Sequence, residues 1–425
     1  MQVFFEKIRE KLIFKIIPDK NDKDRNQKLG EHSQFMYRTL DGSEFPDVHP
    51  DRLALVALLN TLPFVSDSLN FGWPVSDRFK QATKIVSRID FTFIDGKVEP
   101  IHRCDTGRHA LSFSGGADST AALAVMPHSS EPVFMLRSKR KSRTLYDSHA
   151  AHESCRQLSK LGFNINIIES DFEYLRDPIG FPTDLSVSTP AILIAESRGF
   201  ESIAFGTILE SAYGTSGEKF REYSNSSHYR LWNRMFESVG LGYSLPIAGV
   251  SEVGSSLICK IHPIGRFHQS CIRGKWEDPC NKCWKCFRKE TLMAALTNTR
   301  LSPISVSMIK SSKEVKRRLI DDKPIKHEGV LAFSLNNIQG GGPVVDSLRN
   351  LVRAKEIDTD WMRHWYPKSL DLIDHDYRDF TISKLNELIG EMNMDQIDAL
   401  ESWENHNHEE REKRLDSFKS VLSLA

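Results

Sequence analysis

Ser114-Gly115-Gly116-Ala117-Asp118-Ser119 places two glycines, two hydroxyls and a carboxylate between an apolar run and a helix-like one. Glycine lacks a Cβ, so the pair lets the chain turn sharply and lets a ligand come close to backbone N–H groups. A helix starting there aims its unpaired amides and the positive end of its dipole into the same space. Ser114 and Ser119 add hydroxyl donors, which makes the loop a candidate cradle for phosphate or pyrophosphate. Asp118 belongs beside phosphates when a cation such as Mg²⁺ lies between them. Neither the Walker spacing nor the dinucleotide fingerprint is present.

Cys271, Cys280, Cys283 and Cys286 form a second constellation, Cys-x8-Cys-x2-Cys-x2-Cys. Four thiolates at this spacing suit the closed tetrahedral shell of structural Zn²⁺. Iron–sulfur ligation is the competing reading, but here the fourth cysteine precedes the triplet and no second cysteine set exists. Cys104, Cys155 and Cys259 lack such spacing and read as buried apolar residues. A basic run, Arg137 to Arg143, offers Lys139 and Arg140 as candidates to hold an anion.

The elements that must position these groups alternate between strand and helix. His109–Phe113, Pro132–Leu136, Phe163–Glu169 and Ser202–Gly206 read as strands; Asp118–Met126, Asp147–Leu161 and Thr189–Arg198 read as helices. That alternation predicts βαβ units and a mainly parallel sheet, whose ligands sit at the carboxyl ends of the strands. The loop after His109–Phe113 and the basic run then share one sheet edge. Residues 1–105 read as a mixed α/β extension, with a helix over Asp51–Leu62 and a strand over Lys84–Phe93. Residues 298–425 read as mainly helical, with a glycine loop at Gln339–Pro343 and helices near Asp346–Ala354, Ile382–Met394 and Trp403–Leu415.

The chain has 425 residues, 57 basic against 57 acidic side chains, 40% hydrophobic residues and seven cysteines. This composition excludes a disordered chain, a general polyanion binder and a small disulfide scaffold. The charged start and the lack of an 18-residue apolar run predict neither a signal peptide nor a membrane span. A cytoplasmic protein with no membrane partner is the expectation.

Ser-Gly-Gly-x-Asp-Ser directly after an apolar strand resembles the PP-loop of the ATP pyrophosphatases. Followed by this cysteine spacing, over about residues 108–290, it is similar to the 7-cyano-7-deazaguanine synthase branch of that family. The resemblance implies a Rossmann-like, adenine nucleotide α-hydrolase-like core over residues 106–297. It implies an enzyme that cleaves ATP to AMP and pyrophosphate while adenylating a carboxylate, 7-carboxy-7-deazaguanine or a related acid. The acyl group then passes to an amine, either ammonia or a protein amine. Larger relatives of that synthase, with added terminal regions, occur in bacterial antiviral operons, which points to an operon partner or protein acceptor; a homodimer is also compatible.

By the same resemblance, Ser114, Gly115, Gly116, Asp118 and Ser119 contact ATP, and Ser112, Phe113, Ala117, Thr120, Gly206 and, from the basic run, Lys139 are further candidate ATP contacts. Ser114, Asp118 and Ser119 form the catalytic centre, Mg²⁺ accompanies ATP, and Zn²⁺ on the four cysteines staples the chain without doing chemistry. The stretch after Gly206 is longer than in the synthase. There Glu210 stands in for an acidic base-reading residue and Arg221-Glu222-Tyr223 resembles an Arg-Pro-Glu-Phe run, so Glu210, Tyr213, Arg221 and Glu222 are candidate substrate contacts. Alternative readings are a tRNA-modifying enzyme using Arg273, Lys275, Lys282, Lys285, Arg288 and Lys289, adenylation of another carboxylate, or a non-catalytic nucleotide or zinc scaffold.

Overall fold

The computed structural model describes residues 1–23, 28–138, 148–215, 219–404 and 408–424. Its strands run in chain order as β1 (Gln2–Ile8), β2 (Lys11–Ile17), β3 (Lys28–Leu29), β4 (Gln34–Thr39), β5 (Ser68–Phe71) and β6 (Asp90–Phe93). They continue as β7 (His109–Phe113), β8 (Glu131–Arg137), β9 (Asn166–Ser170), β10 (Arg176–Asp177), β11 (Ser202–Phe205) and β12 (Gly242–Ser244). Ten of them form one sheet in the order β12-β11-β7-β8-β9-β4-β2-β1-β5-β6, while β3 and β10 pair separately. The protein is therefore mixed α/β, with a large, mostly parallel central sheet and a helical C-terminal region.

From β12 to β9 every neighbouring pair is parallel. Read in chain order, β7 and β8 lead outward to β9 on one side, and β11 and β12 lead outward on the other. The order thus reverses between β7 and β11, the crevice where open sheets of this kind bind ligands. Side-chain alternation fixes the two layers. Ala110, Val133, Met135, Ile203 and Phe205 point into one core with helices Pro50–Thr61 and Thr189–Arg198. Leu111, Phe113, Phe134 and Ala204 point into the other, against helices Ala117–Val125, Ser148–Lys160 and Glu252–Ile261.

The regions either side of the core are built into it. On the N-terminal side, β4 pairs antiparallel with β9, register Tyr37↔Ser170 to Thr39↔Ile168, so the sheet runs unbroken across residue 105. Buried Leu12, Phe14 and Ile16 alternate with the more exposed Lys11, Ile13, Lys15 and Ile17 along β2. On the C-terminal side, Tyr377, Leu385 and Ile389 join the second core. Thr381 Oγ1 donates to the Val125 carbonyl at the end of the loop-bearing helix (3.0 Å).

The expected strand over Lys84–Phe93 is shorter, since only Asp90–Phe93 pairs. Ser76 caps a preceding helix, Asp77–Thr83, by accepting from Phe79 N (3.2 Å), and buried Phe79 anchors that helix to the core. The helix expected near Ile382–Met394 is two, Arg378–Leu388 and Met394–Glu401, divided at Gly390 (φ +68°).

Candidate functional site

The loop after β7 holds itself in shape. Ser119 Oγ donates to the Gly116 carbonyl (3.1 Å), which leaves the Ser114 hydroxyl as donor across the 3.0 Å contact between the two serines. Ser114 N donates to Ser119 Oγ (3.3 Å). Gly115 sits at φ +75°, the left-handed region that glycine enters without strain. Gly116 is the N-cap of helix Ala117–Val125 and no side chain caps it, so the first-turn amides depend on an external acceptor.

Gly206, just after β11, lies against this helix start. A Cβ there would be 2.8 Å from Ser119 N and 2.9 Å from Ser119 Cα, so only glycine allows the approach across the switch point. Ser112, Phe113, Ser114 and Gly116 line a cleft beside the loop. Phe134, Met135, Phe181 and Val187 supply an apolar wall to the same cleft, and Arg137 stands on it with its guanidinium 4.5 Å from the Phe181 ring centre. Ala117 and Thr120 are buried in the helix beneath; the Thr120 hydroxyl has no partner among the described residues. Lys139, Arg140 and the rest of the basic run to residue 147 lie outside the described residues.

The far side of the cleft comes from the cysteine segment. Gln269 N donates to the Gly115 carbonyl (2.6 Å), and Ser154 Oγ donates to Phe267 O (2.8 Å). These bonds bring Cys271 and Lys285 to the cleft wall. Lys285 Nζ lies 4.0 Å from where a Cβ on Gly116 would be. Among the described residues no ion pair holds this ammonium, and burial lowers its pKa below the usual lysine value. A cation in this cleft, beside uncapped amides, is arranged to receive an anion.

Behind the loop lies a buried ionic group. Asp118 Oδ1 accepts from Ser255 Oγ (2.8 Å) and is 3.8 Å from Lys289 Nζ, which also pairs with Glu252 (3.0 Å). Arg288 (3.1 Å) and His327 (3.4 Å) complete the ring around Glu252. Burial would raise the Glu252 carboxyl, but Arg288, Lys289 and His327 outweigh it and hold it well below the usual carboxylate range. Glu210 accepts from Glu252 N with both oxygens (2.9 Å each). Burial, reinforced by the Glu252 charge, pushes Glu210 up to about 8, so it is protonated at neutral pH.

Glu210 is thus placed behind Asp118 and not on the cleft wall. Tyr213 is buried between Phe220 and Tyr366, its hydroxyl without a partner among the described residues. Arg221 and Glu222 sit on the adjoining loop, with Arg221 N bonded to Tyr213 O (2.8 Å). Of the six basic residues considered for RNA, Arg288 and Lys289 turn inward onto Glu252, Lys285 faces the cleft, and Arg273 pairs with Glu314 (2.7 Å).

The four cysteines converge. All four sulfurs lie within 4.8 Å of one another, with Cys283–Cys286 at 3.4 Å and Cys280–Cys286 at 3.7 Å. Zn–S bonds of about 2.3 Å on a tetrahedron set sulfurs roughly 3.8 Å apart, so the set fits a single ion such as zinc. Cys280 N and Cys286 N donate to Cys271 and Cys283 sulfur (3.4 Å each), bonds that favour thiolates. Cys283 also caps helix Trp284–Leu296, whose dipole favours negative charge there. Cys155 and Cys259 are buried as expected, while Cys104 is partly exposed.

The sequence did not single out Glu252 and Ser255 as site residues, named Lys139 and Arg140 instead of Arg137 within the basic run, and offered Lys285, Arg288 and Lys289 as an RNA surface. The one available signal was their spacing after Cys283: a helix beginning at Trp284 puts 285 and 289 four apart, on one face.

A family of unknown function, DUF6395, matches residues 231–404. That span contains the cysteine cluster and the Glu252–Lys289 pair but not the glycine loop. Neither a curated protein nor a solved structure matches the chain. No helix among the described residues is long and apolar enough to cross a membrane.

Proposed function

We propose that the protein is an ATP-dependent ligase that adenylates a carboxylic acid, releases pyrophosphate, and passes the acyl group to an amine with loss of AMP. One observation carries the reading. An uncapped glycine turn at the switch point of the sheet shares its cleft with Lys285, a cation that makes no ion pair among the described residues. In the first step a carboxylate oxygen attacks the α-phosphorus and the bond to the β-phosphate oxygen breaks. Loop amides and Lys285 receive the charge that collects on the departing pyrophosphate, which is electrostatic and positional catalysis. The apolar wall of Phe113, Phe134, Met135, Phe181 and Val187 suits a flat heteroaromatic ring.

Asp118 is the residue that would hold Mg²⁺, since Ser255 and Lys289 both approach its Oδ1 and its other oxygen has no bond among the described residues. Bound there, the ion would neutralise phosphate charge. Zinc on the four cysteines would tie Gln269 and Lys285 to the cleft. The acid we favour is 7-carboxy-7-deazaguanine, on the strength of the PP-loop and cysteine spacing together.

The test is acid-dependent exchange of labelled pyrophosphate into ATP, followed by product analysis with ammonium present. One AMP and one pyrophosphate per amide are expected, and Asp118→Asn should lower the rate about 10²-fold or more. Formation of ADP, or no exchange with any carboxylate offered, overturns the proposal.

A further inference from the structure

Lys289 lies between two carboxylates and bonds only one of them. Helix Glu252–Ile261 sets Glu252, Ser255 and Ser256 on one face, three and four residues apart. Helix Trp284–Leu296 brings Arg288 and Lys289 against that face, and Asp118 arrives in the first turn of the loop-bearing helix. Lys289 Nζ is 3.0 Å from Glu252 Oε1 and donates to Ser256 Oγ (3.4 Å). Its 3.8 Å separation from Asp118 Oδ1 is longer than a hydrogen bond. Among the described residues, the Asp118 side chain accepts only from the neutral Ser255 hydroxyl (2.8 Å). The charges of the group balance: Glu252 and Asp118 against Arg288 and Lys289. Burial and the Arg288 charge lower His327 to about 3, which leaves it neutral, and Glu210 is protonated. A buried ammonium needs a carboxylate. With Glu252 charged, that need is met away from Asp118; with Glu252 neutral, Asp118 becomes the carboxylate left to Lys289.

We propose that Glu252 is a positioning residue of the nucleotide site: by holding Lys289 it keeps the Asp118 carboxylate available to a divalent cation. The inference rests on the adenylation reading above and specifies what controls the metal ligand within it. An ammonium and a divalent cation compete for one carboxylate, because each is drawn by the same negative charge at close range. The 3.0 Å pair with Glu252 settles that competition in favour of the metal. Arg288, 3.1 Å from Glu252 Oε2, keeps the Glu252 carboxylate charged and in place. Lys285, the other cation near Asp118, faces the cleft and makes no ion pair among the described residues. The two residues of the pair therefore act in opposite senses on the metal, Glu252 favouring its binding and Lys289 opposing it.

The experiment measures by calorimetry, on the full-length protein, how far Mn²⁺ tightens ATP binding. No acid is added, so ATP is not consumed and turnover plays no part. The ratio of ATP affinities with and without Mn²⁺ reports the metal, and any change common to both conditions cancels. The unaltered protein should show a ratio of about tenfold or more, and Asp118→Asn sets the lower ratio reached without the ligand. Glu252→Gln should fall to within about twofold of that lower ratio, as Lys289 turns onto Asp118. Glu252→Asp, which keeps the charge, should stay near the unaltered value. Lys289→Met removes the competitor while Glu252 keeps Arg288, so its ratio should equal or exceed that of the unaltered protein. A merely structural pair would lower the ratio in both E252Q and K289M. An unchanged ratio in E252Q, or a fallen one in K289M, overturns the role of Glu252. Should circular dichroism show E252Q to be unfolded, K289M and E252D still decide, and a fall in either refutes the inference. An unaltered protein that binds ATP with no Mn²⁺ effect also refutes it, whereas one that binds no ATP rejects the adenylation reading itself.

Discussion

The approach of Gly206 to the helix start tests whether the switch-point geometry governs activity. In Gly206→Ala the new methyl would meet Ser119 N at 2.8 Å, Ser119 Cα at 2.9 Å and the Asp118 carbonyl carbon at 3.0 Å. All three are backbone atoms, so no side chain can swing away. Gly206 is not among the glycines with positive φ, so alanine costs nothing in torsion and the effect is purely steric. Restoring ordinary contact moves the β11 exit and the Ser114–Ser119 turn apart by roughly half an ångström, and overpacking of this kind costs about 1–3 kcal/mol. The same displacement widens the cradle and shifts Asp118 and the loop amides relative to Lys285. Because misplacement approaching 1 Å can cost about 10²-fold in rate, pyrophosphate exchange should fall by at least tenfold. A thermal melt should show a loss of only a few degrees. Wild-type exchange and wild-type Tm together in Gly206→Ala would refute the claim that this contact sets the loop.

Three further outcomes follow from the site. The purified protein should contain one zinc per chain by elemental analysis, and Cys283→Ser should lose both the metal and several kcal/mol of stability; iron absorbance, or no metal, would contradict the single-ion reading. Lys285→Met removes a cation that has no ion pair among the described residues, so Tm should hold or rise while ATP binds about tenfold or more weakly; calorimetry showing unchanged affinity would remove Lys285 from the phosphate site. Glu210 is raised to about 8 when folded, so the native state holds a proton that the unfolded chain loses above about pH 4.5, and stability falls as pH rises across that window. Glu210→Gln mimics the protonated form and should flatten the Tm profile between pH 5 and 8; parallel profiles would show that Glu210 does not titrate there.

Much of the core was legible because its signals are local. His109–Phe113 is a strand and Thr189–Arg198 a helix with the bounds read from the sequence. Each is one apolar run between breakers, and buried strands of a parallel sheet carry such runs. The N-terminal strands were not legible as part of the same sheet. Charged residues interrupt β1 and β2, and what places them is pairing between β4 and β9, segments about 130 residues apart. The Asp118–Lys289–Glu252 group was hidden for the same reason. Its members come from separate helices and pair only after the layers close.

The sequence by itself determined the glycine turn and the cysteine set, because a double glycine before a helix and thiols three residues apart act through short-range backbone geometry. Only the tertiary structure decided what they serve. It brought Gly206 against Ser119, turned Lys285 into the cleft and withdrew Glu210 behind Asp118. Burial and charge depend on which distant segments share a volume, and no spacing along the chain encodes that.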